Sequence, residues 1–155
     1  MAESVRFHLW MLPGAAGAFL ALAVLLMARR RRERRGSAAL ALLAASSGWW
    51  CGLQVLILGA PSLEAKVLLS RVQWLGIAAT PPAWLLFSLD YAGLRERVPR
   101  IITAATLAPC IVTIGLAWTN GGLHRWLWTD ARLLDPARPP GFRFEHGPWF
   151  DLQRW

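Results

Sequence analysis

Four stretches of the chain carry no Asp, Glu, Lys or Arg: residues 9–28, 37–63, 72–89 and 101–123. Each is about as long as the roughly 18 to 20 apolar residues a helix needs to cross a bilayer core. The pattern predicts transmembrane helices over about 9–28, 37–59, 66–91 and 100–118. Residues 119–155 read differently. Pro136, Pro139, Pro140 and Gly141 forbid a continuous helix there. The stretches 126–134 and 142–146 on either side of them are predicted to pair as a small hairpin. The expected fold class is an all-α membrane protein, a four-helix transmembrane bundle with a small extracytoplasmic C-terminal hairpin or loop segment.

Composition removes the main competitors. Of 155 residues, 55% are hydrophobic and only 17% charged, too apolar for a disordered chain or an ordinary soluble domain. A net charge of +8 suggests nucleic acid at first sight, yet the basic residues sit in short segments between apolar runs, the pattern of membrane topology. Arg29, Arg30, Arg31, Arg32, Arg34 and Arg35, interrupted by Glu33, follow the first run directly. Such a block resists translocation and stays in the cytoplasm, which puts the N-terminus outside. The first run is not a removable secretory signal, because Glu3 balances Arg6 ahead of it. Threading from there brings Arg95, Arg97 and Arg100 inside as well, so residues 29–36 and 92–100 are expected to be cytoplasmic. The arginine block serves as a topology anchor and attracts anionic lipid head groups at about 1 kcal/mol per residue, with no nucleic-acid partner required. Cys51 and Cys110 lie within apolar runs and are expected to behave as small buried hydrophobes, not as a disulfide or metal framework.

The third run reads Val72-Gln-Trp-Leu-Gly-Ile-Ala-Ala-Thr-Pro-Pro-Ala-Trp-Leu-Leu-Phe and is followed by Tyr91. The last segment carries Thr119-Asn120, His124, Trp128-Thr129, then His146 with Gly147-Pro148-Trp149-Phe150. From Lys66 onward these motifs resemble the N-terminal seven-transmembrane sensor region found in front of bacterial histidine kinases and sometimes of diguanylate cyclases. Its patterns are Gln-aromatic-Leu-Gly, Pro-Pro-x-Trp-x-x-Phe, Thr-Asn, His, Trp-Thr and Tyr-Gly-Pro-x-Phe. His146 stands at the tyrosine position, Asp151 stands where an aromatic is usual, and the chain ends at Trp155, where a fifth helix would begin. The resemblance implies a multi-pass protein of the bacterial inner membrane, truncated after its fourth helix. It further implies a signal-sensing module without catalysis or cofactor of its own, any kinase or cyclase activity lying in absent downstream sequence. A small-molecule signal is the implied ligand and a homodimer the usual arrangement.

Polar groups inside lipid are costly unless partnered, which makes them the best functional clues. Counting about 1.5 Å per residue from the turn near residues 59–65 places Gln54 and Gln73 both roughly 8 to 11 Å below the outer surface, able to face one another. Trp50 and Ser46 continue the Gln54 face, and Arg71 and Trp74 flank Gln73. Trp50, Gln54, Arg71, Gln73 and Trp74 are thus the candidate ligand-binding residues for a small apolar or amphiphilic signal. The same residues also suit a purely structural role, hydrogen-bonding and packing the helices together. Pro81 and Pro82 fall inside the third helix, leave carbonyls of Ile77 and Ala78 without donors, and are the candidate hinge, with a kink expected. Trp84, Phe87 and Tyr91 form an aromatic stripe expected to be packing surface. Asp90 is expected to make an interfacial ion pair with Arg95 or Arg97. His8, His124 and His146 are too widely spaced for a metal site, and the last two are expected to pin the hairpin.

Two other functions compete with sensing. A small transport unit is favoured by broken helices and disfavoured by the lack of a charge pair at mid-depth. A structural or adaptor protein would use a small-residue face such as Gly14, Gly17 and Ala21 to recruit a partner.

Overall fold

In the computed structural model the described residues are 2–31, 33–133 and 142–153, and side chains are described for these except at 2–10, 133, 142 and 153. The His8 side chain, Arg32, Pro136, Pro139, Pro140 and Gly141 lie outside the described residues. The elements are α1 (Ala2–Arg30), α2 (Ser37–Gly59), α3 (Leu63–Tyr91), α4 (Arg100–Thr119), β1 (Trp128–Leu133), β2 (Phe142–His146) and α5 (Pro148–Gln153). Each of α1 to α4 contains a window long and apolar enough to span a membrane; in α1 it is Met11–Arg30.

Two helices start earlier than hydropathy predicts: α1 at Ala2 instead of 9, and α3 at Leu63 instead of 66. Hydropathy marks the lipid core, whereas a helix continues until its backbone is capped. For α3 the cap is Ser62, whose side chain accepts the Ala65 N–H at 3.2 Å. Lys66 then folds back to donate to the carbonyls of Ile57 (2.8 Å) and Leu58 (3.3 Å), satisfying the free end of α2. At the opposite end Leu94 N–H reaches the Leu89 carbonyl at 2.9 Å across Gly93, whose φ of 68° closes α3 in a Schellman-type turn.

Small residues set the helix spacing. A Cβ at Gly17 would lie 2.8 Å from Cys51 Sγ, and one at Gly48 would lie 3.1 Å from Ala21 Cβ, so α1 and α2 approach almost backbone to backbone. Likewise a Cβ at Gly76 would lie 2.7 Å from the Ser46 carbonyl, fixing the crossing of α2 and α3. The face containing Gly14, Gly17 and Ala21, read from sequence as an adaptor surface, is therefore occupied by α2. Among the described residues the helices pack in a row, α1 on α2, α2 on α3 and α3 on α4.

Burial is inverted relative to a soluble protein. The buried apolar set is mostly alanine, with Ala21, Ala28, Ala39, Ala44, Ala78, Ala83 and Ala117, while Phe19 (72% exposed), Ile101 (75%) and Ile111 (67%) point outward. Lipid makes that arrangement stable, because it solvates large apolar side chains and leaves close van der Waals packing to hold helices together.

Beyond α4, β1 and β2 pair antiparallel, with Ala131 opposite Phe144 and an irregularity between Trp128 and Asp130. Their apolar side packs onto the bundle: Leu127, Trp128 and Ala117 are buried together, with Trp74, Phe144 and Trp149 against them.

Candidate functional site

The α2–α3 seam holds the two glutamines. Gln73 Nε2 donates to Gln54 Oε1 at 2.9 Å and to the Trp50 carbonyl at 3.1 Å. A neighbouring bond runs from Trp49 Nε1 to the Val72 carbonyl at 2.9 Å. Gln54 and Gln73 thus meet as their spacing suggests, in a clamp whose polar atoms serve one another. Ser46, read as an extension of that face, instead donates back to the Leu42 and Leu43 carbonyls, both at 3.0 Å. The Trp50 side chain is exposed, so its contribution to the clamp is its backbone.

Arg71 and Trp74 lie elsewhere. Three residues apart, they share a face of α3 that is rotated away from the Gln73 contact and turned to α4. The five candidate residues therefore divide between two sites and do not form one pocket. Trp74 lines a mainly apolar cavity of about 400 Å³ between α3 and α4, together with Ile77, Pro81, Thr106, Cys110 and Thr113. The hydroxyls of Thr106 and Thr113 and the Cys110 thiol are turned to their own helix, donating to Thr103, Pro109 and Thr106 carbonyls. Arg71 Nη2 donates to the Asn120 carbonyl at 2.9 Å, tying α3 to the end of α4.

Asn120, part of the Thr-Asn motif but not singled out from sequence as a site residue, is the centre of that end. It is 1% exposed; its Nδ2 donates to the Trp128 carbonyl at 2.8 Å, and its Oδ1 accepts N–H groups of Leu127 (3.0 Å) and Trp128 (3.4 Å). His124 Nδ1 accepts the Trp126 N–H at 3.2 Å, so its proton sits on Nε2, 2.7 Å from the Thr119 hydroxyl. Trp149 Nε1 donates to Thr113 Oγ1 at 3.0 Å, and Gly147 N–H donates to the Leu127 carbonyl at 2.9 Å. A Cβ at Gly147 would collide with the Trp126 carbonyl, which explains the glycine. The sequence motifs of this segment consequently act as one fastening of hairpin to helices, with His146 stacked on Phe150 (centroids 3.8 Å apart) outside it. On the exposed hairpin, a hydrogen bond from Arg132, and then one from the Ala131 N–H, holds the Asp130 carboxyl below its usual range.

At the other end, Asp90 pairs with Arg95 at 2.7 Å. Arg35, Gly36, Asp90, Gly93, Arg95 and Glu96 surround an open cleft of about 240 Å³, so the two basic loops lie at the same end of the row. Arg29, Arg30, Arg31, Arg34 and Arg35 are exposed there. Between the two ends α3 remains helical through Pro81 and Pro82, with Thr80 Oγ1 donating to the Gly76 carbonyl at 2.8 Å. The aromatic stripe forms, Trp84 to Phe87 at 6.1 Å and Phe87 to Tyr91 at 5.9 Å between centroids. Trp84 and Tyr91 are 60% and 82% exposed, so the two ends of the stripe face outward, while Phe87 between them is half-buried near Gly36.

Comparison with known proteins gives one family: the model for the N-terminal 7TM region of histidine kinase matches residues 11–154. No curated protein and no solved structure matches the chain.

Proposed function

The chain belongs to the family of N-terminal 7TM regions of histidine kinases, and from that premise we propose that it reads an extracytoplasmic or membrane-dissolved signal without catalysing a reaction itself. In this reading the N-terminus and the β1–β2 hairpin face outward, and residues 29–36 and 92–100 face the cytoplasm beside anionic head groups. The output is a kinase, or a cyclase in a related architecture, and the working unit is a homodimer.

The observation that carries the reading is the way α3 is held. Its upper part is bonded sideways in two directions, by Gln73 to α2 and by Arg71 to the end of α4, and its lower end by Asp90 to the following loop. Between these ties Pro81 and Pro82 remove two ladder hydrogen bonds. A signal that changes the upper ties shifts the population of α3 tilts, and the proline pair is the hinge through which the tilt reaches the basic loops. Transport has no comparable support, and the small-residue face an adaptor would use is already covered by α2.

The test is made in the native host. Chromosomal deletion of the coding region, and separately Pro81→Ala with Pro82→Ala, are each expected to change the phosphorylated fraction of a response regulator on phosphate-affinity gels. Unchanged phosphorylation of every regulator after deletion overturns the sensing role; a response to deletion but not to the proline replacement overturns the hinge alone.

A further inference from the structure

The arginine of α3 is under-used. Its guanidinium offers five N–H donors, yet among the described residues Arg71 makes one hydrogen bond, from Nη2, and its buried Nε has no partner. Among the described residues no carboxylate pairs with it, the ion pairs being those of Arg95 and Arg132. A cation at the end of a span, with no counter-charge among the described residues, is open to pairing with an anion.

The level of Arg71 narrows the choice. It lies 20 residues before Tyr91, the end of α3, or about 30 Å along the axis, the thickness of a hydrocarbon core. The 20 residues of α4 span the same distance and end at Thr119, next to the Asn120 carbonyl that Arg71 holds. On the α4 side Arg71 is therefore at the boundary between lipid tails and head groups, shallower than a count from the α2–α3 turn implies. Below it, Trp74, Ala78 and Pro81 continue its face at spacings of three, four and three, and all three line the apolar cavity of about 400 Å³.

A cation at the interface above an apolar slot is the complement of a molecule with one anionic head and one hydrocarbon tail. We infer that α3 and α4 bind a free long-chain carboxylate, its head on Arg71 and its tail in the cavity beside Trp74, Pro81 and Cys110. A guanidinium matches a carboxylate with paired N–H donors, and the slot, at the small end of ligand-pocket volumes, suits one chain and not the two of a phospholipid. The proposal rests on the sensing role only for its signalling consequence. Occupancy is read directly below, so its failure leaves that role standing and the failure of that role leaves the binding site standing.

The test uses the full chain in nanodiscs of zwitterionic lipid and a hexadecanoate probe carrying a photoreactive diazirine in its tail. Labelled peptides are expected to cover 74–81 and 106–113, with competition by hexadecanoate and not by hexadecanol. Arg71→Gln is expected to weaken labelling at least tenfold and Arg71→Lys to restore part of it. Since Arg71 also braces Asn120, Cys110→Phe provides a second arm: it fills the slot, keeps the cation, and is expected to abolish labelling of both segments. Equal competition by the alcohol, or labelling indifferent to Arg71→Gln and Cys110→Phe, overturns the proposal. Displacement by phosphatidylglycerol at equal concentration also overturns it, since Arg71 then serves a phospholipid head group.

Discussion

Replacing Asn120 with Ala tests the fastening of the hairpin, because that one side chain satisfies three backbone groups. Two N–H donors, of Leu127 and Trp128, and the Trp128 carbonyl lose their partners, and both residues are buried. An unsatisfied buried polar group costs about 1–3 kcal/mol. The Leu127 bond at 3.0 Å and the Trp128 carbonyl bond at 2.8 Å are the strong pair, and the 3.4 Å contact adds little. Two effective losses give about 2–4 kcal/mol after partial relaxation, or about 30- to 1,000-fold in an opening equilibrium. Amide hydrogen exchange in nanodiscs reads this by region. Amides in β1 and β2 are expected to accelerate by that factor, or to the fully open limit if docking is weaker than the loss, while the α1–α2 interface stays unchanged. Acceleration below about threefold at Ala131 and Phe144 would refute the view that Asn120 holds the hairpin down. Equal acceleration in α1 would show instead that the row unfolds as a unit.

Gly76→Leu places side-chain atoms where the Ser46 carbonyl and the Trp49 ring now lie; α2 and α3 are expected to separate, and a cysteine pair engineered across the seam should lose its disulfide cross-linking. A double-mutant cycle on Gln54→Leu and Gln73→Leu, measured by unfolding in mixed micelles, is expected to give a coupling of only about 0.6 kcal/mol, typical of interhelical hydrogen bonds in membranes; a value above about 2 kcal/mol would contradict a simple clamp. Glu96→Cys should react with an impermeant maleimide only after cells are opened and Arg125→Cys in intact cells; the reverse pattern inverts the proposed topology. Asp130, its pKa lowered mainly by Arg132, contributes stability that is present above the unfolded carboxylate value of about 3.9 and is lost as pH falls through the lower folded value; a carboxyl resonance titrating above that value would contradict the pairing.

Hydropathy and charge made the helices and their grouping legible, because lipid imposes a length and a polarity on any segment that crosses it. Pairing of Gln54 with Gln73 was also readable, since two polar side chains at similar depth on consecutive helices have few other partners. The assignment of Arg71 and Trp74 to that same site was not. Residues 71, 73 and 74 are neighbours in sequence, but at 100° per residue Gln73 points to α2 while Arg71 and Trp74 point to α4. Only the helix's rotational setting, fixed at Gly76 by contact with Ser46, separates the two sites. Asn120 was visible as a motif letter, yet its role depends on a chain reversal that brings Leu127 and Trp128 back to it.

In the proposed sensing role, that rotational setting makes α3 the helix best placed to transmit a tilt. α2 and α4 pack on different faces of it, and Gln73 and Arg71, two residues apart along the helix, bond to these two neighbours, with Lys66 adding a further tie to α2 above them. In the proposed sensing role, a helix held so near one end would pivot there. A rotation that relaxes the Arg71–Asn120 bond moves Gln73 against its two acceptors on α2, so the two sites compete for one helix orientation. If α3 and α4 bind the carboxylate proposed above, its binding at Arg71 and the strength of the glutamine clamp are expected to be coupled with opposite sign, and the coupling is reciprocal. Gln54→Leu, which leaves Arg71 and the cavity untouched, is accordingly expected to tighten hexadecanoate binding by up to about threefold, the most that a clamp of about 0.6 kcal/mol can release. Unaltered affinity in that variant would show that the two faces of α3 act independently and would remove the basis for treating the helix as a lever.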